Sequence, residues 1–275
     1  MSSNISLKLY NLIKTGVIKS NAQFWKSFYN EGAINTFSCD LEAIRQELEE
    51  KGINIISVFD KNFPSVNVKL KNSEKPFFFA YKGDITLLKD FDKNIAVIGV
   101  LTPTNEIVER EQKVVKRLTE KGFNIVSGLA KGCDTAAHSE SIKNNSKTIA
   151  FLPSILENIY PKENIELANE IIKNGGLIIS EYINEPKNKY ENVKRFIERD
   201  RLQALFSKAV VLIASYRKGE GDSGSRHAFE KAKEYGKKRL VMYREKNADD
   251  LQFGLNKYYV TRGEKIVTFN EIAKL

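Results

Sequence analysis

Residues 123–152 read FNIVSGLAKGCDTAAHSESIKNNSKTIAFL, and the pattern of this stretch decides the fold. Phe123 to Val126 and Thr148 to Leu152 are apolar runs of strand length, whereas Thr135 to Asn145 between them has the length and period of a helix. The same alternation continues outward in both directions. Upstream lie an apolar run at Ile95 to Val100 and a helical segment at Ile107 to Lys121. Downstream follow helices at Glu163 to Lys173, Val193 to Phe206 and Ser225 to Tyr235, interleaved with strands at Leu177 to Ser180, Ala209 to Ala214 and Arg239 to Tyr243. Strands that are apolar at every position are covered on both faces. The expected fold is therefore α/β: a doubly wound, Rossmann-like parallel sheet of about six strands over residues 91–246. Ligands of such sheets bind at the carboxyl ends of the strands.

Outside this domain the pattern changes. Between Ile5 and Lys51 the apolar residues fall at mixed three and four spacings, as in Leu41, Ile44 and Leu48, which predicts a small helical N-terminal region over 1–50. Asn54 to Phe59 and Phe77 to Tyr81 are short strand-like runs bracketed by Gly52, Pro64, Pro76 and Gly83, so 51–90 reads as an ordered extended connector packed on the core. Residues 247–275 form a C-terminal extension. A chain of 275 residues with 41% hydrophobic side chains can bury its core without disulfides or structural metal. Cys39 and Cys133, with His138 and His227, make no metal-ligand spacing, so no metal site and two unpaired thiols are expected. No apolar run approaches about 18 residues and Met1 to Leu12 has no signal-like apolar core, which points to a cytoplasmic protein without membrane contact.

The net charge is +9, and it is concentrated: Ile183 to Lys246 holds 17 Lys and Arg against 9 Asp and Glu, the rest of the chain 27 against 26. A localised excess suits a partner with regular negative charge, nucleic acid first and nucleotide second. Three stretches give that excess a candidate site. In the first, Ser127, Gly128, Lys131 and Gly132 end a strand and open a helix. Two glycines four apart permit close backbone approach, main-chain N–H groups at the helix start face an anion, and Lys131 adds charge. Asp134 opposes phosphate at the mouth unless it is spent capping the helix. In the second, Ser223, Gly224, Ser225 and Arg226 occupy another strand-to-helix turn, with hydroxyls to donate and a guanidinium to clamp. In the third, Lys194, Arg195, Arg199 and Arg201 lie on a predicted helix, Arg195 and Arg199 sharing one face, with Glu198 and Asp200 neutralising part of the charge. Tyr182, Tyr190 and Phe196 are candidate stacking faces beside it. No catalytic residue is assigned: His138 follows Asp134 by one helical turn without a nucleophile elbow, and His227 has no evident partner.

At these residues the chain resembles the DNA-processing protein A family, also called DprA or Smf. The matching stretches are Asp60-Lys61-Asn62-Phe63-Pro64, Tyr81-Lys82-Gly83-Asp84, Ser127 to Asp134 with Ala137-His138, Thr148-Ile149-Ala150, Tyr160-Pro161, Ser180-Glu181-Tyr182, Arg199-Asp200-Arg201 and Ser223-Gly224. The resemblance implies a Rossmann-like core that binds single-stranded DNA in a basic pocket, dimerises, and helps load a RecA-type recombinase during natural transformation. It implies no cofactor and no hydrolytic or redox activity. It also implies that the turn at Ser127 and the segment at Arg199 line the pocket, with Lys131 and Arg201 on phosphates. The chain departs from the family pattern in four places. Gly99-Val100-Leu101 stands where Gly-Ser-Arg is usual, Asp200 where Asn is usual, and Met242-Tyr243-Arg244 where a Pro-Gly is usual. Residues 245–275 are too few for the winged helix that many relatives carry.

The first functional expectation is thus a non-enzymatic single-stranded DNA-binding protein, acting as a homodimer with a RecA-type recombinase. The alternative is a nucleotide-sensing regulatory protein of a defence or toxin–antitoxin system that uses the same phosphate pocket. A nucleotide-cleaving enzyme on a related fold ranks third, because the Pro-Gly-Gly-x-Gly-Thr loop of such enzymes is absent.

Overall fold

The computed structural model of the chain describes residues 2–66 and 69–275. The N-terminal region forms four helices: α1 (Asn4–Lys14), α2 (Asn21–Ser27), α3 (Glu31–Asn35) and α4 (Leu41–Glu50). Each starts at a residue whose side-chain oxygen accepts from the first turn, namely Ser3, Ser20, Asn30 and Asp40, which satisfies N–H groups that have no intrahelical partner. Strands β1 (Asn54–Ser57) and β2 (Phe78–Gly83) follow, then β3 (Asn94–Ile98), α5 (Asn105–Glu120), β4 (Asn124–Ser127), α6 (Cys133–Lys143), β5 (Thr148–Leu152), α7 (Ile165–Lys173) and β6 (Leu177–Ser180). The chain ends with α8 (Lys189–Leu205), β7 (Ala209–Leu212), α9 (Arg226–Glu234), β8 (Lys238–Val241), α10 (Gly254–Val260), β9 (Lys265–Ile266) and α11 (Phe269–Ala273).

Among the described residues all the strands join one nine-stranded sheet in the order β1-β2-β6-β5-β4-β3-β7-β8-β9. From β6 to β9 every pairing is parallel. The connector strands were expected to pack on the core. They instead lengthen its sheet, β2 pairing antiparallel with β6 through Ala80 to Ser180 and Gly83 to Leu177, and β1 antiparallel with β2. Their short apolar runs carried the strand signal, but pairing with a strand a hundred residues away is set by tertiary packing.

Strand residues alternate between two cores, the consequence of a side-chain period of two. Ala96, Ile98, Val126, Phe151, Val210 and Leu212 face α8 and α9, where they meet Leu202, Phe206 and Phe229. Ile95, Val97, Ile125 and Val211 face the other way, onto Ile107, Val115 and Leu118 of α5 and Ala137 of α6. The N-terminal helices and α7 continue that second layer over β2, β5 and β6, with Phe24 stacked on Phe77 at 4.0 Å between ring centres. The chain winds from β3 through β4 and β5 to β6, then returns to the opposite side of β3 for β7. The strand order therefore reverses beside β3, and this opens a crevice at the carboxyl ends of β3 and β7. Among the described residues no helix is long and apolar enough to cross a membrane.

Candidate functional site

That crevice holds a cavity of about 320 Å³. It is walled by the turns after β3 (Gly99, Leu101), β4 (Gly128, Ala130, Lys131) and β7 (Asp222, Gly224, Ser225), the Tyr160-Pro161 loop after β5, Phe196, Arg199, Asp200 and Gln203 of α8, Asp134 of α6 and Ala228 of α9. Of the candidate residues read from the sequence, Gly128, Lys131, Arg199, Gly224 and Ser225 line it.

The glycine turn after β4 is built for this cavity in a way its spacing does not show. Helix α6 begins two residues earlier than its pattern predicts, with Gly132 at the cap position, so Asp134 lies in the first turn. From there Asp134 Oδ2 reaches back and accepts from the N–H groups of Gly128 (3.1 Å) and Ala130 (3.2 Å). These are N–H groups the sequence offers to a phosphate, and here a carboxylate already occupies them. Gly128 is required because a Cβ there would overlap the Arg199 guanidinium, and Gly132, at φ +75°, because a Cβ would collide with the carbonyls of Val100 and Leu101. Ser127 is buried, donates to the Val97 carbonyl at 2.7 Å and does not itself line the cavity. Lys131 stands on the rim, half exposed and ion-paired with Glu163 at 2.6 Å.

Electrostatically the cavity is a contest between one guanidinium and three carboxylates. Arg199, 4% exposed, donates from Nη1 to the Phe151 carbonyl at 3.0 Å, and its Nε lies 3.1 Å from Asp200 Oδ1 without an aligned hydrogen bond. Burial pushes the Asp200 carboxyl up to about 7; Arg199 opposes the shift, and Asp134 and Asp222 add to it. Asp134 is shifted in the same direction by burial, against the pull of Arg199. Asp222 braces the two turns that flank the switch point, accepting from the N–H of Leu101 at 2.7 Å and of Gly224 at 3.3 Å. Ser225 Oγ is buried beside it with no hydrogen-bond partner among the described residues.

The remaining basic residues do not converge there. Arg195 and Arg201 of α8 point into a separate groove beneath the N-terminal helices. Arg201 donates to Glu181 at 2.7 Å and to the carbonyls of Glu198 and Glu74, while Arg195 bonds Glu191 and the Asn184 carbonyl and lies over the Tyr182 ring at 4.3 Å. Lys194 pairs with Glu198 at 3.2 Å. Arg226 pairs with Glu230 at 3.2 Å, and neither it nor Ser223 lines the cavity. Lys208 and Lys238 sit at the amino ends of β7 and β8, the rim opposite the cavity, and Arg239 pairs with Glu264. The charge excess that is contiguous in sequence is thus dispersed around the molecule.

Three aromatic expectations resolve differently. Tyr182 is taken up by its bond to Glu198 at 2.8 Å and by Arg195. Tyr190 is 80% exposed on the outer face of α8. Phe196 lines the cavity edge-on to Tyr160, with ring centres 5.8 Å apart. Tyr160, 56% exposed at the mouth, is the stacking face that the sequence reading missed, along with Asp222 and Gln203. Tyr160-Pro161 was legible as a motif, but only the fold brings it beside α8. His138 is buried and neutral, held down to about 3 by burial and Arg199, with Nδ1 2.7 Å from Thr148 Oγ1.

Comparison with known proteins supplies the context. The model of the family described as DNA recombination-mediator protein A matches residues 54–274. The DNA processing protein DprA of Bacillus subtilis is 32% identical over 193 residues, 70% of this chain and 61% of that protein. Protein Smf of Borreliella burgdorferi is 31% identical over 75% of this chain and 65% of its own length. The chain therefore spans about three fifths of the length of the curated relatives it matches. Among solved structures, DNA processing protein A of Streptococcus pneumoniae superposes with a TM-score of 0.70 at 26% identity, over 98% of this chain and 92% of that one. The protein from Helicobacter pylori, described for its unique single-stranded DNA binding mode, gives 0.65 at 27% identity over 81% and 94%.

Proposed function

The chain belongs to the DNA recombination-mediator protein A family, and on that premise we propose that it binds single-stranded DNA across the carboxyl-end rim of its sheet. The observation that carries the reading is the exposed Tyr160 ring, supported edge-on by Phe196 at the mouth of the switch-point cavity, with Lys131 beside it on the rim. An unpaired base can stack on such a ring, while in a duplex its faces are already covered; a neighbouring lysine meets the backbone phosphate. The single-stranded DNA binding mode described for the Helicobacter pylori protein supports the same assignment. The chain acts by binding, without a catalytic step of its own. As a recombination mediator it passes the strand to a RecA-type recombinase, as a homodimer in the cytoplasm, in DNA uptake by transformation.

An anisotropy titration with single-stranded and duplex oligonucleotides across a salt series tests this. Single strands should bind more tightly, with a log–log salt slope of about −0.7 for each phosphate neutralised. Tyr160→Ala should weaken binding by about 1–3 kcal/mol, the scale of one base-stacking contact. A flat salt response, or equal affinity for duplex, refutes the proposal. The size of the cavity favours a second reading, a sensor of single nucleotides, because about 320 Å³ is the scale of a small-ligand pocket. Thermal shift against a nucleotide panel separates the two, since a tight mononucleotide ligand raises the melting point and a strict strand binder does not respond.

A further inference from the structure

Resting on the single-strand reading, we propose that the outer ridge of α8, topped by Tyr190, is a second base-stacking subsite, outside the cavity, along which the strand continues. Helix α8 presents different faces to different surroundings. Phe196 and Asp200 line the cavity on one side, and Arg195 and Glu198 line the groove beneath the N-terminal helices on another. Between them stands a ridge of Tyr190, Val193 and Ile197, whose spacing of three and four residues places them on one face. These side chains are 80%, 60% and 44% exposed. A helix of a folded chain turns such a stripe toward the core. Here Leu202, Ala204 and Leu205 make the core contact of α8, so packing gives no reason for an apolar ridge crowned by a tyrosine.

The chemistry of the ridge fits an unpaired strand. An exposed phenol ring offers a base a face to stack on, and Val193 and Ile197 carry apolar surface back toward Phe196, which supports the Tyr160 ring with centres 5.8 Å apart. The six-residue step from Phe196 to Tyr190 is about 9 Å along the helix axis. Neighbouring bases of a duplex strand rise by only roughly 3.4 Å. Tyr160 and Tyr190 therefore take bases that are not stacked on each other, which an extended single strand supplies and a duplex does not. Charge agrees with this occupant. Lys187 and Lys189, both exposed beside the ridge, make no salt bridge among the described residues. The neighbouring carboxylates are occupied, Glu191 by Arg195 at 2.7 Å and Glu198 by Lys194 at 3.2 Å and by the Tyr182 hydroxyl. A phosphate passing the ridge meets free ammonium groups and paired carboxylates.

The test is an anisotropy titration of the full chain with oligothymidine of about 20 nucleotides and with an abasic strand of the same length, which keeps the phosphates and removes the bases. Tyr190→Ala should weaken oligothymidine binding about tenfold, the scale of one stacked base, and leave binding of the abasic strand as it was. Tyr190→Phe, which keeps the ring, should restore the affinity, whereas Tyr190→Leu, apolar without a ring, should match the alanine variant. The salt slope should not move in Tyr190→Ala and should fall in magnitude by about 0.7 in Lys189→Ala. Undiminished oligothymidine binding by Tyr190→Ala, or an equal loss on both strands, overturns this inference while leaving single-strand binding intact. A change in sedimentation mass with unaltered strand affinity assigns the ridge to contact between copies of the chain and likewise overturns it. Failure of the unmodified chain to bind either strand overturns the proposed function itself. An unchanged melting point for the Tyr190 variants, expected from the exposure of the ring, separates a lost contact from a lost fold.

Discussion

Two of the three buried arginines of helix α8, Arg199 and Arg201, stand two residues apart and serve different places in the molecule. Arg199 and Arg201 are each 4% exposed. Arg199 reaches the strand-end cavity, where its guanidinium fills the space over Gly128 and balances Asp200. Arg201 enters the groove beneath the N-terminal helices and ties α8 to Glu181 after β6 and to the Glu74 carbonyl in the segment before β2. The first stands at the strand-end cavity; the second holds the connector and the N-terminal layer against the core. A basic motif that reads as one ridge in sequence is therefore divided between that cavity and the assembly of the layers.

The largest effect expected from this division is on stability. Arg201→Ala leaves Glu181, 8% exposed at its side chain, without its partner, so chemical denaturation should show a loss of about 3–5 kcal/mol. If the variant keeps wild-type stability and loses DNA binding, the contrast with Arg199 fails. Gly128→Ala should cost about 1–3 kcal/mol in the same measurement, because the new methyl must displace the Arg199 guanidinium. It should also weaken single-strand binding, which Arg201→Ala should spare wherever the protein is folded.

Asp200 offers a pH-resolved test. Its folded-state carboxyl keeps its proton up to about 7, whereas a free aspartate ionises near pH 3.9. The folded state thus binds the extra proton between those values. The stability contributed by that proton is complete below about pH 4 and lost as pH rises through about 7. Melting curves should show a decline over this window that Asp200→Asn flattens, the variant gaining on the wild type at pH 8. An identical pH profile for the two proteins would contradict the enclosed position of the carboxyl. The smallest change is expected at the rim. Lys131→Ala should lower the magnitude of the salt slope by about 0.7 and leave the melting point nearly unchanged, since an exposed ion pair such as Lys131–Glu163 contributes little.

Much of the site is legible in the sequence as turn positions and little of it as contacts. The glycines at 128 and 132 mark their turn, since close approach at the first and a positive φ at the second call for them there, whereas a Cβ at Gly224 would meet only Asp222 Oδ1 in ordinary contact at 3.6 Å. What approaches Gly128 was not legible: the spacing suggests a ligand, and the structure supplies Arg199 from a helix some seventy residues onward. Asp134 reads as a helix cap and instead seals the turn, because α6 starts two residues early. Tyr160 lacked any local signal of exposure, since its supporting ring, Phe196, comes from a different crossover.

The order of apolar runs and helical periods determined a doubly wound α/β sheet, because burial on both faces demands apolar residues throughout each strand; that it winds about β3 was decided by the tertiary pairing. It likewise determined that glycine turns would meet at the strand ends, since every parallel crossover delivers its turn to the same rim. Tertiary structure alone decided which charges face one another there. Side chains distant in sequence share the cavity, neighbours on α8 point apart by the helical step of 100° per residue, and a residue's charge acts through that geometry whatever its place in the chain.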